Sequence, residues 1–180
     1  NYIRYRLEGH YDILYGGKNG RSAHEMIVDL NAFKEYNITA EDVAKRLMDY
    51  SFHAPTLSFP VAGTIMIEPT ESEDKDELDR FCDAMIMVRK EIEQIKTGEF
   101  SPDNNVLHNA QHTLSELTAT SWKLPYTREK AAYPLSYLRA NKFWASVKRV
   151  NNAHGDRNLI CTCAPVSDYE DDEIESEQAN

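Results

Sequence analysis

One stretch dominates what this chain can fold into: the apolar residues Leu78, Phe81, Cys82, Met85, Val88, Ile92 and Ile95 recur at spacings of three and four. Such spacing stacks side chains on one face of an α-helix of about five turns and demands an apolar layer for that face to cover. Cys82 lies within the stripe and is expected in the core. Acids crowd the first turns, Lys90 and Lys96 sit near the end, and Gly98 supplies the stop, as the helix dipole and C-cap chemistry prefer. Upstream, Thr70-Glu71-Ser72-Glu73 has the form of a capping box, which predicts that Thr70 starts the helix.

The partner layer is predicted from shorter runs. Tyr11–Tyr15 and Ala23–Leu30 flank Gly16-Gly17-Lys18-Asn19-Gly20 and read as a β-hairpin whose glycines supply positive φ. The glycine run lacks the spacing of a phosphate-binding P-loop. Gly63–Ile67 is the best further strand, stopped by Pro69. Thr39-Ala40-Glu41-Asp42 opens a second helix with Val43, Ala44, Leu47 and Met48 on one face. Beyond Gly98, Leu107–Leu117 is expected to be helical, Thr127 to cap a short helix and Leu159–Cys163 to form a brief strand. The order β-β-α-β-α followed by an irregular extension predicts an α+β layer, a small, mostly antiparallel sheet with helices on one face.

Charge narrows the function classes. Asp168–Asn180 holds seven acids and no base, so the formal charge of −10 falls to −3 for residues 1–167. The tail is expected to stay solvated and disordered, leaving 1–167 as the folded part. Neither part offers the basic face that a nucleic acid requires, and no run reaches the ~20 apolar residues of a membrane span. Three cysteines, Cys82, Cys161 and Cys163, are too few for a disulfide scaffold and fit a reducing cytoplasm. The chain opens on Asn1 with no initiator Met or signal-peptide core, which reads as a segment of something larger.

Self-sufficient chemistry is hard to find. His108 and His112, four apart, would share a helix face and could hold zinc, but no third ligand is evident and no metal site is expected. Ser72-x-x-Lys75 matches an acyl-transfer pattern, yet nothing there would depress the lysine's pKa, and capping explains the serine better. Cys161 and Cys163 alternate on the expected strand, so one could be open to oxidation. What remains are loop segments that mix rigid residues with polar side chains, as a cleft wall would: Phe52–Thr56, Glu68–Glu73 and His154–Leu159. They supply the candidates His53, Thr56, Glu68, Thr70, Glu71, Asp156 and Arg157, each of which could equally serve a turn or a cap.

At these residues a resemblance emerges. Tyr50–Glu73, with its core Ser51-Phe52-His53-Ala54-Pro55-Thr56 and Gly63-Thr64-Ile65-Met66-Ile67-Glu68-Pro69-Thr70-Glu71-Ser72-Glu73, resembles the C-terminal signature of glycine dehydrogenase (decarboxylating), the P-protein family of the glycine cleavage system. The likeness continues through Tyr11–Tyr15, Gly20-Arg21, Ala23-His24-Glu25, Glu77–Met85, Pro125–Glu129 and Gly155–Cys163. Ser51 and Gln111 replace the family's usual Gly and Pro, and His154 stands where Tyr is common.

The resemblance implies the C-terminal small domain of a fold type I pyridoxal-phosphate enzyme, closing over a cofactor bound outside this segment. It implies that glycine loses its carboxylate as CO₂ with the cofactor as electron sink. The aminomethyl group then passes to the lipoyl arm of a partner H-protein. The Schiff-base lysine is expected outside the segment, since none of the ten lysines lies in a recognisable motif for it, so the segment alone should be inactive. It further implies association with the remainder of the P-protein in a dimer or a heterotetramer of two subunit types, in a bacterial cytoplasm or a mitochondrial matrix. A free-standing α+β ligand-binding or regulatory module is the alternative. It would need natural termini, against which the missing Met argues; a small metal hydrolase around His108 and His112 is the third reading.

Overall fold

A computed structural model describes residues 1–159 of the chain. The expected strand at Leu159–Cys163, the boundary at residue 167, the acidic tail and both candidate redox cysteines, Cys161 and Cys163, lie wholly or largely outside the described residues. Residues 1–149 form one compact unit and a second opens at Val150.

The first unit is α+β. Its strands are β1 (Asp12–Leu14), β2 (Met26–Asp29), β3 (Thr56–Leu57) and β4 (Thr64–Ile67), all antiparallel in the order β1-β2-β4-β3. Register runs from Asp12 opposite Asp29 to Leu14 opposite Ile27, and from Met26 opposite Ile67 to Asp29 opposite Thr64. On the outer side Thr56 faces Met66 and Leu57 faces Ile65. Alternation puts Met26, Val28, Ile65 and Ile67 on one face, where they join one buried cluster with the apolar residues of the helices. The helices are α1 (Tyr2–Leu7), α2 (Ala40–Asp49) and α3 (Lys75–Lys96). α2 packs on β3, β4 and α3, while α1 lies against α3.

The long stripe behaves as its spacing predicts: Cys82, Met85, Val88, Ile92 and Ile95 are buried. Burial pushes the Cys82 thiol up to about 11, in keeping with a core role. Leu78 and Phe81, nearer the helix start, stay only partly buried. Thr39 caps α2 in a full capping box with Asp42. Thr127 likewise caps α5 (Arg128–Ala132).

Three local expectations in the first unit are corrected. Thr70 does not start α3; the cap is Asp74, whose Oδ1 accepts from Glu77 N at 2.8 Å, and Thr70 Oγ1 instead meets Ser72 Oγ at 2.6 Å. An Asp can cap as well as a Thr, and the acid-rich run held two overlapping solutions. The hairpin connection draws positive φ from Tyr15, Asn19 and Gly20, not from Gly16 or Gly17. Gly16 serves close approach: a Cβ there would sit 2.9 Å from Arg4 Nη2. Leu107–Leu117 is not one helix. Asn105 Oδ1 accepts from Leu107 N and His108 N, both at 3.0 Å, and His112 N donates to Asp49, so these N–H groups are taken out of the helical ladder. Only α4 (Leu114–Thr118) forms, restarted by the Thr113 cap.

The second unit contributes a short helix, α6 (Asn152–Arg157), capped by Asn151 accepting from His154 N. Gly155, Asp156 and Arg157 are therefore helical, where a loop was expected.

Candidate functional site

The end of α2 sets the site's geometry. Ser51 takes φ +65, which lets Ser51 N and Phe52 N donate to Met48 O and Leu47 O in a Schellman closure. Phe52 then turns inward, its ring 5.2 Å edge-on from Phe81. Arg80 lies over Phe52 at 4.2 Å and over Tyr137 at 5.0 Å, and is held by Glu77, whose Oε2 accepts from Arg80 Nε at 2.6 Å. The hydrogen bond to Glu77 raises the Arg80 pKa further and fixes its charge.

Between this aromatic clamp and the end of β4 runs a groove of about 320 Å³. Ile3, Phe52, Met66, Ile67, Leu78 and Phe81 make its apolar walls, which explains why Leu78 and Phe81 leave the core stripe unfinished. His53 and Thr56 enter from the α2–β3 segment, Glu68 from the end of β4, and Glu73 and Glu77 from the start of α3. The rim thus offers one imidazole, one hydroxyl and three carboxylates around an apolar floor.

Of the candidates read from sequence, His53, Thr56 and Glu68 meet in this groove. Thr70 and Glu71 are exposed and do not line it. The positive end of α3 is met by Asp74 of the chain itself. Asp156 and Arg157 belong to the second unit, where both are exposed.

The most polar part of the interior went unread in the sequence. Arg46, fully buried, gives Nε and Nη2 to Glu91 at 3.0 and 2.7 Å and Nη1 to Asp49 at 2.9 Å. It also donates to the carbonyls of Ala131 and Lys130. Burial works against the Arg46 cation, but Glu91, Tyr50 and Asp49 outweigh it and hold the charge. Asp49 in turn accepts from His112 Nδ1 at 2.8 Å, and His112 Nε2 shares a 2.8 Å hydrogen bond with Tyr126 Oη. Lys142, beside the Asp49 carbonyl, is pushed by burial down to about 8.

A second clasp centres on Asp42. His108 Nδ1 lies 3.0 Å and Arg149 Nη1 2.5 Å from its Oδ1, and Thr39 donates to its Oδ2. Burial opposes the Asp42 charge, yet the hydrogen bonds from His108, Thr39 and Arg149 hold its carboxyl well below the usual range. The hydrogen bond to Asp42 raises the His108 pKa against the opposing effect of burial. His108 and His112 thus go to different carboxylates and share no helix face, which overturns the geometry behind a two-histidine zinc reading. Among the described residues no group of three or more His, Cys, Asp or Glu converges as metal ligands. The available sequence signal was the spacing of Asp42, Arg46 and Asp49 along α2, charges at steps of four and three that face inward rather than outward.

Comparisons with known proteins bear on this geometry. The family model described as glycine dehydrogenase, C-terminal domain, matches residues 1–112. Glycine dehydrogenase (decarboxylating) of Flavobacterium johnsoniae is 65% identical over 169 residues, covering 94% of this chain and 18% of the relative. The proteins of the same name from Christiangramia forsetii and Saccharophagus degradans are 62% and 58% identical, again over 94% of this chain and 18% of each relative. The chain therefore spans under a fifth of the length of the curated relatives it matches. It belongs to the glycine dehydrogenase C-terminal domain family. Among the described residues no helix is long and apolar enough to cross a membrane.

Proposed function

We propose that this chain, as the C-terminal segment of a glycine decarboxylase, forms one wall of the cleft in which glycine loses CO₂. The observation that carries the reading is the convergence of His53, Thr56 and Glu68 on one groove over an apolar floor. The His53 imidazole and Thr56 hydroxyl are the donors on that rim, suited to a substrate carboxylate, and Glu68 is an acceptor suited to an amine. Glycine has no other handles, so their placement would set its orientation. The apolar floor excludes water and strengthens each polar contact above it.

Pyridoxal phosphate attaches through a lysine amine, and no lysine lines the groove. Three rim carboxylates would also repel its phosphate. The residues present do not fit the cofactor, so it is held by other parts of the parent enzyme and this segment alone is inactive. The aminomethyl product is handed to the lipoyl arm of an H-protein, and the groove floor gives such an aliphatic arm an apolar surface. The parent assembles as a dimer or as a heterotetramer of two subunit types and works in the cytoplasm, or in the mitochondrial matrix of a eukaryote.

The test uses the full-length parent enzyme. His53→Ala and Glu68→Ala should each slow exchange of the glycine carboxyl group with CO₂ by roughly tenfold or more while the melting temperature holds. Exchange at the wild-type rate in both variants would make the groove structural and refute the reading.

A further inference from the structure

A larger cavity, about 730 Å³, lies away from the groove, between α1 and the hairpin formed by β1 and β2. Charged side chains of both signs line it: Arg4 and Arg21, and Glu8 and Asp12. Among the described residues six arginines are ion-paired, and Arg4 and Arg21 belong with Arg128 and Arg157 to the four that are not. Arg6, Arg46, Arg80, Arg89, Arg139 and Arg149 each form an ion pair with a carboxylate. Arg4 and Arg21 do not: Arg4 Nη1 donates only to the Ser22 hydroxyl at 3.1 Å, and the Arg21 side chain has no partner within the described residues. Glu8 and Asp12 likewise lack an ion-pair partner there, although both face the same cavity as the two arginines.

The cavity is also built and not incidental. Gly16 has no side chain, and that lets the Arg4 guanidinium lie against the hairpin backbone, where a Cβ would approach Nη2 to 2.9 Å. Asn1 pins Ser22 through paired hydrogen bonds of 2.9 Å, which in turn holds the serine that orients Arg4. Asn19 and Gly20, both at positive φ, close the wall beside Arg21.

Two guanidinium groups and two carboxylates that share a cavity without neutralising one another complement a ligand that carries both charges. We propose that this cavity binds a small α-amino acid as its zwitterion, with the carboxylate taken by Arg4 and Arg21 and the ammonium by Glu8 and Asp12. Arginine suits the first task because its fork matches a carboxylate in two hydrogen bonds. The site shares no lining residue with the groove except through the common fold, so it is independent of the cleft reading.

The experiment titrates the 180-residue chain with glycine and with L-leucine, and separately with acetate and with methylamine, following backbone amide shifts by NMR. Saturable shifts at Gly9 and Asn19–Arg21 are expected for the amino acids with a Kd on the order of millimolar. Acetate and methylamine, each satisfying half of the site, should bind at least about tenfold more weakly. Arg21→Gln and Asp12→Asn alter exposed side chains, and their retained fold is checked by an unchanged melt. Each should weaken amino-acid binding by about tenfold. Acetate binding as well as glycine would replace the proposal with a simple anion site. Absence of a saturable shift up to ~100 mM, or an affinity unaffected by both variants, would overturn it outright.

Discussion

Replacing Arg46 by Met should be strongly destabilising. The side chain is fully buried and makes five hydrogen bonds, three to the carboxylates of Glu91 and Asp49 and two to the carbonyls of Lys130 and Ala131. Methionine fits the volume but leaves Glu91 buried without its cation, and two carbonyls without donors. Removing one partner of a buried pair costs about 3–5 kcal/mol. For a domain of this size each kcal/mol moves the melting temperature by about 2–4 °C, so a fall of roughly 6–20 °C is expected. Asp49 should suffer less, because His112 still donates to it twice. The double variant Arg46→Met, Glu91→Met removes the stranded charge together with its partner and should recover part of the loss. Urea melts of the two variants decide the matter. A single-variant cost below about 1 kcal/mol, or a double variant no better than the single, would show that Arg46 does not neutralise a buried Glu91 charge.

Two further outcomes follow from the caps and the second clasp. Asp74→Ala should cost about 0.5–2 kcal/mol as the true cap of α3, whereas Thr70→Ala, an exposed change away from the helix end, should stay within ~0.5 kcal/mol; equal effects in chemical melts would restore Thr70 as the cap. The folded His108 pKa is raised, so its contribution to stability should be fully present below the unfolded value of about 6.5 and lost as pH rises through the folded one. Melting temperatures of the wild type and His108→Asn should therefore converge toward alkaline pH, and a gap that widened would contradict the Asp42–His108 pairing.

The elements β1, β2, β4, α2, α3 and α5 were legible because each carried an apolar-run, periodic or capping signal, whereas α1, β3 and α6 were not foreseen. Short apolar and β-branched runs revealed β2 and β4, three-and-four spacing revealed α2 and α3, and Thr39 and Thr127 marked their helix starts correctly. The groove was half legible: His53, Thr56 and Glu68 stood out as rigid, polar loop residues, but Thr70 and Glu71 share that composition and sit outside it. No local rule says which residue of a loop faces inward. The α2 spacing of Asp42, Arg46 and Asp49 offered a signal, but the residues they meet were illegible for a different reason. Glu91, His108, His112 and Arg149 lie from 45 to 107 positions away from the α2 residues they meet, as the 45-residue step from Arg46 to Glu91 and the 107-residue step from Asp42 to Arg149 illustrate. Only tertiary packing brings such charges together, and a charged residue on a helix reads by default as solvated.

The sheet's two outer strands are its shortest, three residues in β1 and two in β3, while the inner pair has four each. An unpaired strand edge is a template on which another chain can add its own backbone, and the danger grows with the length of edge presented. Here each edge offers a stub. β1 gives way at Tyr15 and β3 at Ser58, both with positive φ that turns the backbone out of the plane, and Pro60 follows with no N–H to donate. The fold therefore resists edge-to-edge aggregation by brevity, with no need of the lysine fences that longer sheets use.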